Sequence, residues 1–294
     1  MYGESVGATA LPSGTSEAMD RRQLLQLGAV AAVAACARPA DDAAATFPAP
    51  PPPTRRVEPA GTINGSFGSM ARGGAETAWT LVRPEAEGPL RPVIALHGKG
   101  GDHSMAFDLG AEDALRRAVE SGVPPFAVVG VDGGDGYFHR RLSGEDAAKM
   151  VVDELIPMLT FMGLDTSRLG LLGWSMGGYG ALLIGSQLGP GRVAAIAAVS
   201  PALWTSASET APGAFDGAAD YAAFDIFDRV DELSAIPLQI DCGESDPFYT
   251  ATVDFVGRLS RSPAGGFSPG GHDPTYWRRV LPAEIDFLGR QLAL

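Results

Sequence analysis

Apolar residues in this chain come as short unbroken runs: Pro92-Val-Ile-Ala-Leu-His97, Pro125-Phe-Ala-Val-Val-Gly-Val131, Leu169-Gly-Leu-Leu-Gly173, Val193-Ala-Ala-Ile-Ala-Ala-Val199 and Pro237-Leu-Gln-Ile-Asp-Cys242. A strand exposed on one face would alternate apolar with polar, so unbroken runs imply strands covered on both faces. Between them lie stretches of helical spacing. Met105 to Glu120 carries Leu109, Leu115 and Val119 among polar residues and ends at Gly122, and Ser143 to Met162 is a second amphipathic segment, bent or ended near Pro157. A third helix over Gly177 to Ser186 stops at Leu188-Gly189-Pro190, and a last one runs from Pro274 to Leu292. Helices alternating with buried runs predict an α/β architecture, a mostly parallel sheet with helices on both faces and function at the carboxyl ends of its strands. Two segments break the rhythm. Gly61 to Arg83 holds two alternating stretches, Ile63 to Met70 and Thr77 to Val82, parted by Arg72-Gly73-Gly74, which reads as a hairpin-like opening. Ser200 to Ile236 carries Leu203, Trp204, Phe215, Tyr221, Phe224 and Phe227 among many acids; a run of this length is either a partial cap over a site or a peripheral helical segment packed by those aromatics.

Residues 1–60 follow neither pattern. Met19-Asp-Arg21-Arg22-Gln-Leu24-Leu25 looks like a twin-arginine export signal, and Leu24 to Ala35 is an apolar segment too short to span a bilayer. Val33-Ala34-Ala35-Cys36 resembles a bacterial lipoprotein signal, in which the cysteine is lipidated and becomes the new N-terminus. The expected organisation is residues 1–36 as an export signal with Cys36 as the lipidation site, a Pro/Ala-rich linker over 37–60, and a folded α/β domain over 61–294. That places the protein in the cell envelope, anchored to the outer side of the bacterial cytoplasmic membrane. The alternative is an uncleaved alanine-rich helix with an incidental cysteine. Residues 1–18 carry no signal feature, so Met19 is a second candidate start. Pro48 to Pro53 cannot build a core and favours an extended polyproline spacer.

Composition narrows the function classes. With 45% apolar residues the 294-residue chain is that of a globular protein, and a formal net charge of −13 argues against a nucleic-acid partner. The 4 histidines form no H-E-x-x-H and the 2 cysteines no C-x-x-C, so neither a metal nor a cofactor is expected. With Cys36 lipidated, Cys242 is left as a buried thiol. Gly98-Lys99-Gly100-Gly101 follows a buried run, yet it lacks the glycine of a dinucleotide fingerprint, where His103 stands, and the Lys-Ser/Thr of a phosphate loop. It remains a loop that exposes backbone N–H groups.

Gly173-Trp174-Ser175-Met176-Gly177 is a G-x-S-x-G run with a strand before it and a helix after it, the context in which a serine nucleophile sits on a strained turn. Gly266-Phe267-Ser268-Pro269-Gly270 has the same letters, but no apolar strand precedes it and Pro269 lacks the N–H that an oxyanion site uses. A serine hydroxyl needs a base, and the base an orienting acid. In the chain order Ser, acid, His only His272 follows Ser175, in a loop before the last helix; its plainer role is that of a loop residue beside the Asp273-Pro274 helix cap. Asp246, beyond the strand at Leu238 to Cys242, is the first candidate acid, with Asp241 inside the strand as the second. The N–H groups of Met176 and Lys99 are the candidate oxyanion donors, Gly98 and Gly100 being the alternatives to Lys99.

Leu96-His-Gly-Lys-Gly-Gly101, Asp153-Glu-Leu-Ile-Pro157, Gly173 to Leu182, Cys242-Gly-Glu-Ser-Asp-Pro-Phe248 and Gly271-His272 together resemble the esterase family that includes esterase D, feruloyl esterases and the antigen 85 mycolyltransferases. The resemblance implies an α/β-hydrolase fold. The expected activity is a serine carboxylic-ester hydrolase working through Ser175, His272 and Asp246 by way of an acyl-enzyme, on a small-molecule or lipid ester. Two other readings stand beside it: an acyltransferase of mycolyltransferase type acting on a cell-envelope alcohol, and a non-catalytic binding lipoprotein on a hydrolase scaffold.

Overall fold

A computed structural model describes residues 61–294; the expected export signal, Cys36 and the expected linker lie outside the described residues. The strands are β1 (Gly61–Ser69), β2 (Ala75–Arg83), β3 (Pro92–Leu96), β4 (Ala127–Val131), β5 (Leu169–Trp174), β6 (Val193–Val199), β7 (Leu238–Gly243) and β8 (Ala264–Ser268). They form one 8-stranded sheet in the order β1-β2-β4-β3-β5-β6-β7-β8. The β1–β2 hairpin and the β2–β4 pair are antiparallel, and every other pair is parallel. Every residue of β3, β4, β5 and β6 is buried, as the unbroken apolar runs require.

Alternation along each strand feeds two separate cores. Ile94, Leu96 and Leu171 face a core shared with Leu155, Leu159, Leu182 and the segment after β6. Val93, Ala95, Leu172 and Trp174 face the other, against Ala111–Glu120 and Pro274–Leu292.

Three elements differ from expectation. The helix expected over Met105 to Glu120 is two helices, Met105–Asp108 and Ala111–Glu120, broken at Gly110 with φ 104°. The segment expected from Ser143 starts at Ala147, capped by Asp146, which accepts the Lys149 N–H at 2.9 Å. Its middle, Val151–Leu155, is wound as a π-helix just ahead of Pro157. A proline without an N–H clashes with the carbonyl four residues back, and a wider turn relieves the clash. Finally, the Gly266–Gly270 run, which no apolar strand precedes, itself begins inside a strand: Ala264–Ser268 is the edge strand β8, paired parallel to β7. Ser200 to Ile236 holds the short helices Ala218–Ala223 and Val230–Ser234 around packed aromatics. No helix among the described residues is long and apolar enough to cross a membrane.

Candidate active site

The sheet delivers its chemistry at one end. Strand β5 stops at Trp174, the helix Met176–Leu188 starts one residue later, and Ser175 alone makes the turn, at φ 54° and ψ −116°. A non-glycine residue in such a conformation costs about 1–3 kcal/mol and must be held by its surroundings. Its N–H donates to the Val199 carbonyl at 2.9 Å, and its carbonyl accepts from Tyr179 and Ala202, each at 3.0 Å. The turn is so tight that a Cβ on Gly173 would lie 2.0 Å from the Gly177 carbonyl oxygen, and one on Gly177 would lie 2.0 Å from that of Leu96. Only glycine fits at either place.

Strand β7 ends at Gly243, and the chain turns there with the Asp246 N–H bonded to the Gly243 carbonyl at 3.0 Å. The Asp246 side chain is fully buried. Its Oδ1 accepts the Phe248 N–H at 2.8 Å, which leaves Oδ2 to face His272 Nδ1, also at 2.8 Å. A carboxylate only accepts, so Nδ1 is the protonated nitrogen and Nε2 carries the lone pair. That lone pair meets Ser175 Oγ at 2.9 Å. Phe248 and Trp277 each approach the His272 ring nearly edge-on at 5.2 Å. The plainer role of this segment coexists with the site, because Asp273 caps the last helix through the N–H groups of Thr275 and Tyr276.

The other candidates lie elsewhere. Asp241 points into the layer beneath the last helix, where its carboxylate accepts from Gln239 Nε2 at 2.8 Å and neighbours the fully buried Glu284. Burial raises the pKa of Asp241, and burial together with Asp241 raises that of Glu284 well above the ordinary carboxyl range. Neither Glu284 oxygen meets an N–H or O–H donor among the described residues, so nothing there offsets the burial that disfavours its charge. Ser268 sits at the end of β8, its hydroxyl bonded to Arg279 at 3.2 Å rather than to a histidine. Cys242 is a buried free thiol, its pKa pushed up to about 12 by burial and by Asp246.

In the loop after β3 the Gly98 N–H is spent on Met105 Sδ at 3.2 Å and the Gly100 N–H on Asp135 Oδ1 at 2.7 Å. Lys99 keeps a backbone N–H without an acceptor among the described residues. Met176 opens its helix, so its N–H has no acceptor within the helix either. The segment after β6 closes over the same end. Trp204 touches Tyr137, Phe215 and Phe248, and Asp216 is clasped by Arg141 and the Leu142 N–H, both at 2.7 Å. Lys99 Nζ reaches the Pro212 carbonyl at 3.4 Å. The sequence alone is compatible with either a cap or a peripheral helix here, since only the folded chain brings 137–142 beside 211–216. Among the described residues, Asp102, His103 and Asp132 form a group whose ligand atoms lie within 4.8 Å of one another. Asp132 Oδ1 accepts both the His103 N–H and His103 Nδ1, which makes the group a clamp on the loop.

The family model described as "Putative esterase" matches residues 80–288. The chain belongs to the esterase family. Its activity class is that of a serine carboxylic-ester hydrolase. Among solved structures, a ferulic acid esterase superposes with a TM-score of 0.68 at 20% identity, over 78% of this chain and 98% of its own. The fluorophosphonate-binding serine hydrolase FphF of Staphylococcus aureus does so with 0.66 at 18%, over 79% and 99%. The S-formylglutathione hydrolase FrmB of the same organism gives 0.65 at 19%, over 78% and 98%. These likenesses make the fold that of the α/β-hydrolases. No curated protein matches the chain.

Proposed function

We propose that this esterase works through a Ser175–His272–Asp246 triad by way of an acyl-enzyme, and that it is exported and held at the membrane by lipid on Cys36. The contact that carries the triad is Ser175 Oγ to His272 Nε2 at 2.9 Å, with Asp246 behind the same ring at 2.8 Å. Ser175 Oγ attacks the ester carbonyl carbon while its proton passes to His272 Nε2. The carbonyl electron pair moves to oxygen, and this oxyanion lies against the N–H groups of Met176 and Lys99. The tetrahedral intermediate collapses with loss of the alcohol, which takes the proton from His272. Water then enters by the same steps in reverse and frees the acid and Ser175. Asp246 keeps Nδ1 protonated and stabilises the imidazolium formed in each half-reaction. The Arg21-Arg22 pair, the apolar run and Ala35-Cys36, in that order, support export and anchoring.

The kinetic test uses p-nitrophenyl esters of graded acyl length. Ser175→Ala is expected to lower kcat by roughly 10⁴ to 10⁶, while Ser268→Ala leaves it near that of the unaltered protein. Loss of activity in Ser268→Ala alone would transfer the nucleophile to the second G-x-S-x-G run.

A further inference from the structure

The rate such a site reaches depends on where its oxyanion donors point, and the direction of the Lys99 N–H is fixed by groups outside the triad. His97 is buried at the end of β3. Its Nε2 receives the Gly133 N–H at 2.9 Å, and its Nδ1 meets the Gly98 carbonyl at 2.7 Å. Since a backbone N–H only donates, Nε2 is bare and Nδ1 bears the hydrogen. Burial lowers the pKa of this imidazole despite nearby carboxylates, so it stays neutral and keeps that tautomer. The Gly98 carbonyl also accepts the Gly101 N–H at 2.9 Å. In a planar trans peptide the carbonyl of one residue and the N–H of the next point in opposite directions. Two donors on the Gly98 carbonyl therefore turn the Lys99 N–H away from His97. Gly98 itself lies against the elbow, where a Cβ built on it would be 3.6 Å from that of Ser175. The peptide on the other side of Lys99 is pinned as well, by the Gly100 N–H on Asp135 Oδ1 at 2.7 Å.

Resting on the hydrolase reading above, we propose that His97 and Asp135 are positioning residues that hold the two peptides flanking Lys99 and so aim its N–H at the oxyanion. Each acts through a peptide of the loop, His97 on the Gly98 carbonyl and Asp135 on the Gly100 N–H. The loop that follows β4 acts as the template: Gly133 fixes the His97 tautomer, and Asp135 takes the far peptide directly. Asp135 is the residue to vary, because it is exposed and its carboxylate makes no other hydrogen bond among the described residues.

The test compares Asp135→Ala and Asp135→Asn in the full chain, reading kcat, KM, melting temperature and the affinity of a trifluoromethyl ketone, whose serine adduct carries an oxyanion. Removing an oxyanion donor outright costs about 10² to 10³ in kcat, so a misdirected one in Asp135→Ala is expected to cost about 10 to 100-fold. The ketone should bind more weakly by a similar factor, with KM and melting temperature unchanged. Asp135→Asn keeps the accepting oxygen and should restore kcat to near that of the unaltered protein. The inference is overturned if Asp135→Ala leaves kcat and ketone affinity untouched, if kcat falls only together with melting temperature and KM, or if Asp135→Asn is as slow as Asp135→Ala. An unaltered protein that hydrolyses none of the esters overturns the hydrolase reading itself, and this inference with it.

Discussion

Asp246→Asn isolates the proposed acid with the least disturbance to the fold, because asparagine matches aspartate in shape and the side chain is fully buried. Asp246 Oδ1 accepts the Phe248 N–H at 2.8 Å, a bond that an amide NH2 group at that place would turn into two facing donors. The asparagine therefore keeps its oxygen toward Phe248 and turns its NH2 toward His272 Nδ1, 2.8 Å away in the unaltered site. An NH2 group donates, so Nδ1 must become the acceptor and the ring proton moves to Nε2. That nitrogen then faces Ser175 Oγ with a hydrogen where the lone pair has to be. The wrong tautomer, with no carboxylate to stabilise imidazolium, costs about 10⁴ in kcat where the same change is known in a serine protease. That factor corresponds to about 5 kcal/mol of transition-state stabilisation. The assay is kcat at saturating p-nitrophenyl ester, beside a circular-dichroism melt to show that the variant is folded. Asp241→Asn is the companion, expected to retain kcat because its carboxylate faces Gln239 and Glu284 instead of the site. A folded Asp246→Asn protein with kcat within tenfold of the unaltered one refutes the reasoning, and a folded but inactive Asp241→Asn protein moves the acid to Asp241.

Three further outcomes follow from particular residues. Glu284 has a folded-state pKa raised by burial and by Asp241, so the native state binds its proton more tightly than the unfolded chain does. Stability is then intact below the ordinary glutamate range and falls as pH rises through it toward the raised value. Glu284→Gln should raise the melting temperature more at pH 8 than at pH 5, and parallel curves for the two proteins across that range would contradict this. Gly177→Ala drives a Cβ to 2.0 Å from the Leu96 carbonyl and should cost about 3 kcal/mol or more in denaturant unfolding; a cost below 1 kcal/mol would show that the elbow yields easily. In a native host Cys36→Ser should move the protein from the membrane to the soluble fraction, and mass spectrometry showing an unmodified Cys36 in the original protein would remove the anchor.

How legible each part was depended on whether its signal is local. The central strands were readable because burial on both faces leaves no polar position to blur an apolar run, as in Val193–Val199. The elbow was readable because strand, serine and helix are contiguous. Ala264–Ser268 was not: this glycine-rich edge strand has no apolar run, and its conformation comes from pairing with β7, from Gln239 opposite Ala264 to Gly243 opposite Ser268. The break at Gly110 was hidden because the apolar positions on either side keep helical spacing across it. Ser175, Asp246 and His272, which the fold brings into contact, were each marked as candidates by their own surroundings and by chain order. Asp135 carried no such mark, since its hydrogen bond to Gly100 exists only because β3 and β4 lie side by side in the sheet. The Arg141–Asp216 ion pair was silent as well, because it joins the chain after β4 to the segment after β6, far apart in sequence.

The central claim is that Ser175 is the nucleophile, and its most direct measurement is the site of a covalent adduct. The full chain is treated with a fluorophosphonate, digested, and its peptides are sequenced by tandem mass spectrometry. A single phosphonyl group on Ser175, absent from Ser268 and lost after thermal unfolding before treatment, is the result expected from the contact with His272 Nε2 at 2.9 Å. An unlabelled protein that still hydrolyses esters, or an adduct on any other residue with Ser175 unmodified, would contradict the account.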